Sequence, residues 1–314
     1  MKMKENSLGR KIISPFLPLY RKIRDGYYAK IGKRDPKELA ILLFKKCHGC
    51  PINLETPSDI DEKINWLKFY TNTDKWSELT DKYLARKYIK DKGLGHTLNT
   101  IYGVYEKSED INFETLPESF VIKLTNGGGG KYVKLVQNKR ELNIPRLRKE
   151  LNEWLKYPFG LISAEPHYLK IKPQILIEKY LNSDLKGENS LVDYKFNCYN
   201  GKAYSVFLCS DRIKEKVNYS IYDLNWNLQP EKITAHYRTH KVYPRPVSFD
   251  KMLAYSEILA KEFPLVRVDW YEINGEPVFS EMTFTPGAGF QTYYTPEYRQ
   301  ELGAQLVLPG KNIS

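Results

Sequence analysis

One stretch near the C-terminus constrains the fold more than any other: Val266-Arg267-Val268-Asp269-Trp270-Tyr271-Glu272-Ile273-Asn274-Gly275-Glu276-Pro277-Val278-Phe279-Ser280-Glu281-Met282-Thr283. Strand-like alternation on both sides of Asn274-Gly275 predicts a β-hairpin. Side chains alternate between the two faces of a strand, so the register decides which of them meet. A three-residue loop (Asn274, Gly275, Glu276) sets Asp269 opposite Glu281 and Arg267 opposite Thr283, all on one face. Val266, Val268, Trp270, Met282 and Phe284 then share the other face. A two-residue loop would separate the carboxylates unless a bulge restored the register. Buried charge is costly unless it is paired or metal-bound. A hard cation such as Mg²⁺ takes oxygen ligands of this kind. The alternative is a solvated face with an ordinary salt bridge.

A chain of 314 residues can form two or three packed lobes. No apolar run approaches the ~20 residues of a membrane span. The apolar stretch within Met1–Tyr20 is broken by Pro15 and Pro18, which makes a poor secretory signal. The expected location is cytoplasmic. The net charge of +11 is unevenly placed. Residues 1–34 carry ten Lys/Arg against Glu5 and Asp25, leaving the remaining chain near balance. Ile12, Ile13, Phe16, Leu17, Leu19 and Tyr20 interleave with that charge. Such a tail suits a peripheral membrane surface or an anionic glycan, or is simply solvated. No groove-reading or stacking motif accompanies it, so nucleic acid is not expected as a partner. Cys47-His48-Gly49-Cys50 has no second pair at zinc spacing. Gly49 there is more simply the stop of a helix capped by Asp35. Cys198 and Cys209 fit buried strand positions.

Residues 35–95 have helical patterning, with a capping box expected at Ser58 to Asp61 and a helix over 81–89. Strands are expected at 120–124, 132–136 and 175–181, and a hairpin at 193–209 around Asn200-Gly201. Helices are expected near 147–155, 249–263 and 296–307. Antiparallel hairpins with helices between them predict an α+β fold rather than a doubly wound parallel sheet.

Three further segments carry potential chemistry. Gly127-Gly128-Gly129-Gly130 follows a strand bearing Lys123. Glycine lets backbone amides turn toward an anion, and a nearby ammonium adds charge. The loop does not open a helix, so it is not a P-loop. Glu178-Lys179-Tyr180-Leu181 ends an apolar strand and can offer backbone groups to a purine edge. Asp193 and Lys195 share a strand face, with Arg212 beyond the partner strand; these suit a nucleotide, a carboxylate or plain surface ion pairing.

The succession of these segments resembles the ATP-grasp ligases, and most closely the TupA-like ATP-grasp family. The resembling segments are Asp61-Glu62-Lys63-Ile64-Asn65-Trp66-Leu67-Lys68, Asp81-Lys82-Tyr83-Leu84-Ala85-Arg86, Leu116 to Lys123, Asp193-Tyr194-Lys195-Phe196 with Asn200-Gly201-Lys202, and Arg267-Val268-Asp269 through Phe284. The resemblance implies an ATP-grasp fold of two α+β lobes with ATP between them, preceded by a mostly helical region. The expected divisions are a basic tail at 1–34, a helical region at 35–115, a small lobe with the glycine loop at 116–181, and a C-terminal lobe at 182–314. By position, the resemblance puts Lys123, Arg86 and Gly127 to Gly129 on the phosphates. It puts Glu178 to Leu181 at adenine and Asp193 with Lys195 near the nucleotide. Arg212 and Arg267 fall near the γ-phosphate or acyl phosphate, and Asp269, Glu281 and Thr283 fall on Mg²⁺.

The family's chemistry implies an ATP-dependent ligase joining a carboxylate to an amine, with ATP and Mg²⁺ as cofactors. A uronic acid of a cell-envelope polysaccharide is the expected carboxylate substrate. Three features depart from the pattern. Glu281 is followed by Met282-Thr283 where many relatives have Glu-x-Asn, Asn126 stands where TupA-like relatives often show His, and residues 1–34 lie largely outside the resemblance. The competing expectations are a glycosyltransferase of polysaccharide synthesis and a non-catalytic ATP-binding scaffold.

Overall fold

Local chemistry sets the helix boundaries. In a computed structural model that describes residues 17–130, 132–183, 191–210 and 218–311, helix α1 (Leu17–Arg34) leads into α2 (Pro36–His48). Asp35 caps α2 by accepting from the Lys37 and Glu38 N–H groups, and Gly49 ends it in the left-handed region at φ 76°. Helix α3 (Ile60–Tyr70) is capped one residue later than the sequence suggests. Its box is Asp59 with Glu62, and Glu62 also accepts from the Ser58 N–H. Asp61 is taken by a tertiary contact instead, accepting from both the backbone and the side chain of Gln291. Helix α4 (Asp74–Thr80) follows. Asp81 then accepts from the Tyr83 and Leu84 N–H groups, so a turn replaces the expected first half of a helix, and α5 spans Ala85–Asp91.

The strands form two antiparallel sheets. The smaller has the order β1-β4-β2-β3, from β1 (Ile101–Tyr105), β2 (Phe120–Leu124), β3 (Val133–Val136) and β4 (Ile175–Lys179). Its edge strand β1 lies inside the 35–115 stretch expected to be helical, so this sheet begins before residue 116. That strand is short and only half-buried, which leaves it a faint period-2 signal in the sequence. Phe120, Ile122, Leu124, Ile175 and Ile177 pack against Leu147 and Leu151 of α6 (Ile144–Leu155). Val121, Lys123 and Glu178 alternate onto the opposite face.

The larger sheet has the order β7-β6-β5-β8-β9, from β5 (Asp193–Tyr199), β6 (Lys202–Ser210), β7 (Asn218–Tyr222), β8 (Leu265–Ile273) and β9 (Glu276–Thr283). Its apolar face (Phe196, Val268, Trp270, Met282) joins one core with Phe249, Met252 and Leu259 of α7 (Phe249–Ala260). The Trp270 indole N–H donates to Ser256 Oγ at 2.8 Å. Burying each such large side chain contributes about 1.5–3 kcal/mol. Helix α8 (Pro296–Gln305) closes against α3. The α+β expectation holds. Among the described residues no helix is long and apolar enough to cross a membrane.

The β8–β9 turn has two residues, not three: Ile273 pairs with Glu276. Asn274 and Gly275 have φ of 53° and 72°, as this hairpin turn requires. A bulge then restores the register, since Trp270 pairs with Phe279 while Asp269 pairs with Glu281. The extra residue is Ser280. The two acids therefore face each other for the second of the two reasons the sequence allows.

Glycines separate tight packing from open surface. A Cβ at Gly303 in α8 would lie 1.8 Å from the Ser58 carbonyl oxygen, whereas one at Gly26 in α1 meets nothing within 4 Å. Gly303→Ala is expected to destabilise the protein by about 1–3 kcal/mol or more. Gly26→Ala is expected to stabilise it by about 0.5–1 kcal/mol. Urea unfolding of both variants, compared with the parent, checks the contrast.

Candidate functional site

The polar face of the larger sheet gathers charge in two rows, because antiparallel register partners share a face. One row runs Lys195–Asp269–Glu281 across β5, β8 and β9. The next runs Ser205–Asn197–Arg267–Thr283. Asp269 is wholly buried. The Arg267 guanidinium grips it through Nε to Oδ1 at 2.7 Å and a second nitrogen to Oδ2 at 2.8 Å. Lys195 Nζ donates to the same Oδ2 and lies 3.6 Å from Asp193. Arg267 also reaches Thr283 Oγ1 at 3.1 Å and Glu281 at 3.4 Å.

A residue without an assigned role in the sequence reading completes this cluster. Lys82, in the turn before α5, lies 3.2 Å from Glu281 Oε2 and donates to the Gly127 carbonyl. Its own N–H donates to the Thr125 carbonyl at 3.0 Å. Lys82 thus ties the glycine loop of the small sheet to an acid of the large one. The only sequence signal for it was its place beside Asp81. Tyr168 was missed altogether, because no motif marks it. It is buried against Phe159, and burial, then the charges of Glu165 and Glu281, hold its hydroxyl well above the usual range.

The glycine loop is specific in how it is seated. A Cβ on Gly128 would come within 2.8 Å of the Phe159 ring, and Gly127 packs on Tyr132 and Leu124. Gly129 and Gly130 have φ of 65° and 73° and face open space. Phe159 belongs to an aromatic group with Tyr132, Tyr157 and Tyr168. Asn126, at the base of the loop, is buried with Oδ1 unpaired among the described residues.

A second charge group sits on the small sheet. Lys123 Nζ pairs with Glu178 Oε2 at 2.7 Å. Arg86 donates to the Asn99 carbonyl at 2.8 Å and feels the Glu178 charge. The structure thus brings Lys123, Glu178 and Arg86 together, and separately Asp193, Lys195, Arg267, Asp269, Glu281 and Thr283. Lys179 is exposed; its N–H donates to Thr100 and its carbonyl accepts from Asn99. Tyr180 accepts from Gln137 through its hydroxyl, and Leu181 is half-buried. Arg212 lies outside the described residues. A surface cleft of about 430 Å³ lined by Glu109, Arg148 and Lys149 contains none of these residues.

Electrostatics couples the groups. Burial pushes the Glu281 carboxyl up, but Lys82, then Lys195 and Arg267, outweigh it and hold that carboxyl well below the usual range. Burial and Glu281 push Asp269 up against the pull of Arg267 and Lys195. Burial would lower Lys123, yet Glu178, Tyr271 and Glu281 hold it above its ordinary value. Lys123 on one sheet therefore senses Glu281 on the other, and the lobes face each other.

For a divalent metal, the oxygens present are two facing carboxylates and one hydroxyl. Among the described residues no group of three or more His, Cys, Asp or Glu side chains could hold a metal. That sparse, all-oxygen set fits Mg²⁺, which keeps waters and completes its shell with substrate phosphates.

A glycine loop on one antiparallel sheet, tied over register-paired acids on a second, is the architecture of the ATP-grasp class. The model of the TupA-like ATP-grasp family matches residues 62–307. The chain belongs to that TupA-like ATP-grasp family, within the ATP-grasp ligases. No curated protein sequence matches significantly. Among solved structures, D-alanine–D-alanine ligase from Bacillus anthracis is 18% identical with a TM-score of 0.44, covering 75% of this chain and 69% of that one. An L-amino acid ligase from Bacillus licheniformis is 10% identical with a TM-score of 0.45 and covers 73% of this chain. This chain spans about half (49%) of that ligase's length. N5-carboxyaminoimidazole synthetase from Staphylococcus aureus, complexed with ADP, is 18% identical with a TM-score of 0.39, covering 81% and 61%. Likenesses at this level say nothing about substrate.

The Lys82–Glu281 contact makes a signed pH prediction. A carboxyl with a depressed folded pKa contributes stability above its unfolded value, about 4.3, and loses it as pH falls toward the folded value. Lys82→Met is therefore expected to cost about 1–3 kcal/mol near neutral pH. That cost should shrink progressively below about pH 4. Urea midpoints of parent and variant across this range check it; a pH-independent difference would remove the Lys82–Glu281 pair from the account.

Proposed function

We propose that this protein is an ATP-dependent carboxylate–amine ligase that works through an acyl phosphate. The observation that carries the reading is the in-register pair Asp269 and Glu281, tied through Lys82 to the glycine loop. In this reading a substrate carboxylate oxygen attacks the γ-phosphorus of ATP, the bond to the β-phosphate oxygen breaks, and ADP leaves. The amine then attacks the acyl carbon, phosphate leaves, and the amine nitrogen gives up a proton as the amide forms.

Each residue has a place in that sequence. Lys123, Arg86, Lys82 and the amides of Gly127, Gly128 and Gly129 hold the phosphates. Glu178 to Leu181 meet adenine, and Asp193 with Lys195 lines the nucleotide side of the hairpin. Asp269 and Glu281, with Thr283 beside them, would hold Mg²⁺, which screens the charge of phosphate oxygens when bound. Arg267, with Arg212, orients the carboxylate and stabilises the acyl phosphate. The site is already crowded with side chains of opposite charge. A nucleotide entering it takes over cations now held by Asp269, Glu281 and Glu178, so protein ion pairs exchange for phosphate ion pairs. The glycine loop, backed by Phe159, keeps water from the acyl phosphate.

The proposed substrates are a uronic acid of a cell-envelope polysaccharide as carboxylate and an amino acid as amine. The support is the family, whose resemblance points to envelope glycan modification. The many tyrosines suit sugar stacking, although some of them, Tyr168 and Tyr294 among these, are buried in the protein.

The test is an ADP-release screen of amino acids against uronic acid acceptors, with mass detection of a product lighter by one water than its substrates. Asp269→Asn and Lys123→Met are each expected to lower amine-dependent ADP release by about 10²-fold or more. Unchanged release in Asp269→Asn would sink the metal role. Release of a nucleoside diphosphate from a nucleotide sugar, with none from ATP, would make the protein a glycosyltransferase. Nucleotide binding without turnover for any acceptor would make it a scaffold.

A further inference from the structure

Helix α1 carries two adjoining apolar faces, one buried and one exposed. Toward its C-terminal end Tyr28 and Ile31 are buried with Leu39 and Leu43 of α2. Gly32 lies so close to the Leu161 carbonyl that a Cβ there would sit 2.3 Å from its oxygen. This face anchors the helix to the segment whose Phe159 seats Gly128. The other face is uncovered. Leu19, Tyr20, Ile23 and Tyr27 are 57%, 58%, 64% and 55% exposed. At about 100° per residue they fall within one arc of roughly 100°. The buried Tyr28 lies about 130° round the helix from the middle of that arc, and the buried Ile31 borders it.

The same arc carries Lys30 and Arg34, and Lys22 and Lys33 border it. Arg34 pairs with Glu38, and Arg24 pairs with Asp25 at 2.7 Å. Arg21, Lys22, Lys30 and Lys33 make no ion pair among the described residues. The segment that contains the helix, residues 1–34, holds ten Lys/Arg and two acids. Isolated exposed apolar residues need no explanation, but four along one face of a helix, framed by cations that make no ion pair among the described residues, do. A patch of exposed apolar side chains ringed by Lys and Arg offers both the apolar contact and the positive charge that an anionic bilayer surface takes.

We infer that the exposed face of α1 docks on a membrane surface rich in anionic phospholipid, with Leu19, Ile23 and Tyr27 entering the headgroup boundary. Lys22, Lys30 and Lys33 meet the lipid charges. A second protein copy would bring the same positive charge against itself, so charge complementarity favours the anionic surface. The inference goes beyond the ligase reading and does not depend on it.

The test uses the full chain and sedimentation with vesicles, either of phosphatidylcholine alone or with about one third phosphatidylserine. Binding is expected on the anionic vesicles only, and should weaken between about 0.05 M and about 0.5 M salt. Ile23→Ser with Tyr27→Ser, and separately Lys22→Glu with Lys30→Glu, should each weaken it about tenfold or more. Thermal unfolding of both variants should match the parent, since all four positions are exposed. No binding to anionic vesicles, equal binding to neutral ones, or binding unchanged in both variants would overturn the inference. So would binding to a soluble anionic glycan, or self-association that the Ile23→Ser/Tyr27→Ser variant abolishes, without vesicle binding.

Discussion

The neutralisation of two facing carboxylates is the constraint around which the molecule is arranged. Asp269 has no exposure to solvent and Glu281 is paired with it in register. Left alone, such a pair would be driven to protonate. Arg267 and Lys195 on the sheet, and Lys82 from outside it, supply the compensating charge. Breaking a buried pair strands the remaining charge, which costs more than the pair contributes. The strand order follows from the same need. β5 must lie beside β8 to bring Lys195 to Asp269, and β9 must carry a bulge to bring Glu281 there at all.

Closure of the two sheets depends on that charge as well. Lys82 serves both the Gly127 carbonyl and Glu281, so the glycine loop is held by the acid that, in the proposed reading, shares Mg²⁺ with Asp269. The ring of Phe159 occupies the space that any side chain on Gly128 would need. A loop with one point of tight packing and two left-handed glycines beyond it can be seated at its base and open at its tip. Lys123 paired with Glu178, and Lys82 paired with Glu281, are arrangements that phosphates would compete for. In the proposed reading, nucleotide binding exchanges one set of ion pairs for another and creates no uncompensated charge in a buried place.

The helices before the sheets are held by polar contacts of unusual reach along the chain. Lys63 donates to the Gly303 and Leu306 carbonyls, Asp61 accepts from Gln291, and Arg299 pairs with Asp59 at 2.9 Å. These bonds satisfy buried groups at the ends of α3 and α8. They also explain why Asp61 was unavailable as a helix cap. The segment from Phe159 to Tyr168 links two places: Leu161 meets α1, and Phe159, with Tyr168 against its ring, meets the glycine loop. It has little regular structure and no repeating pattern, so nothing in its sequence announced that role.

Periodicity, turn residues and caps belong to the sequence, because they act between neighbours. The hairpin at Asn274-Gly275, the Asp35 cap, the Gly49 stop and the α+β class could all be read there. The family was legible too, through the order of its segments. What lay beyond reading were the contacts set by packing at long range. The bulge at Ser280 depends on how β9 meets β8. The capture of Asp61 by Gln291 depends on a partner 230 residues away. The bond from Lys82 to both sheets, and the pairing of Lys123 with Glu178, depend on how the lobes meet. Local preferences are each worth tenths to about one kcal/mol and depend on a few residues, whereas burial and charge pairing are decided only when distant segments remove one another from water.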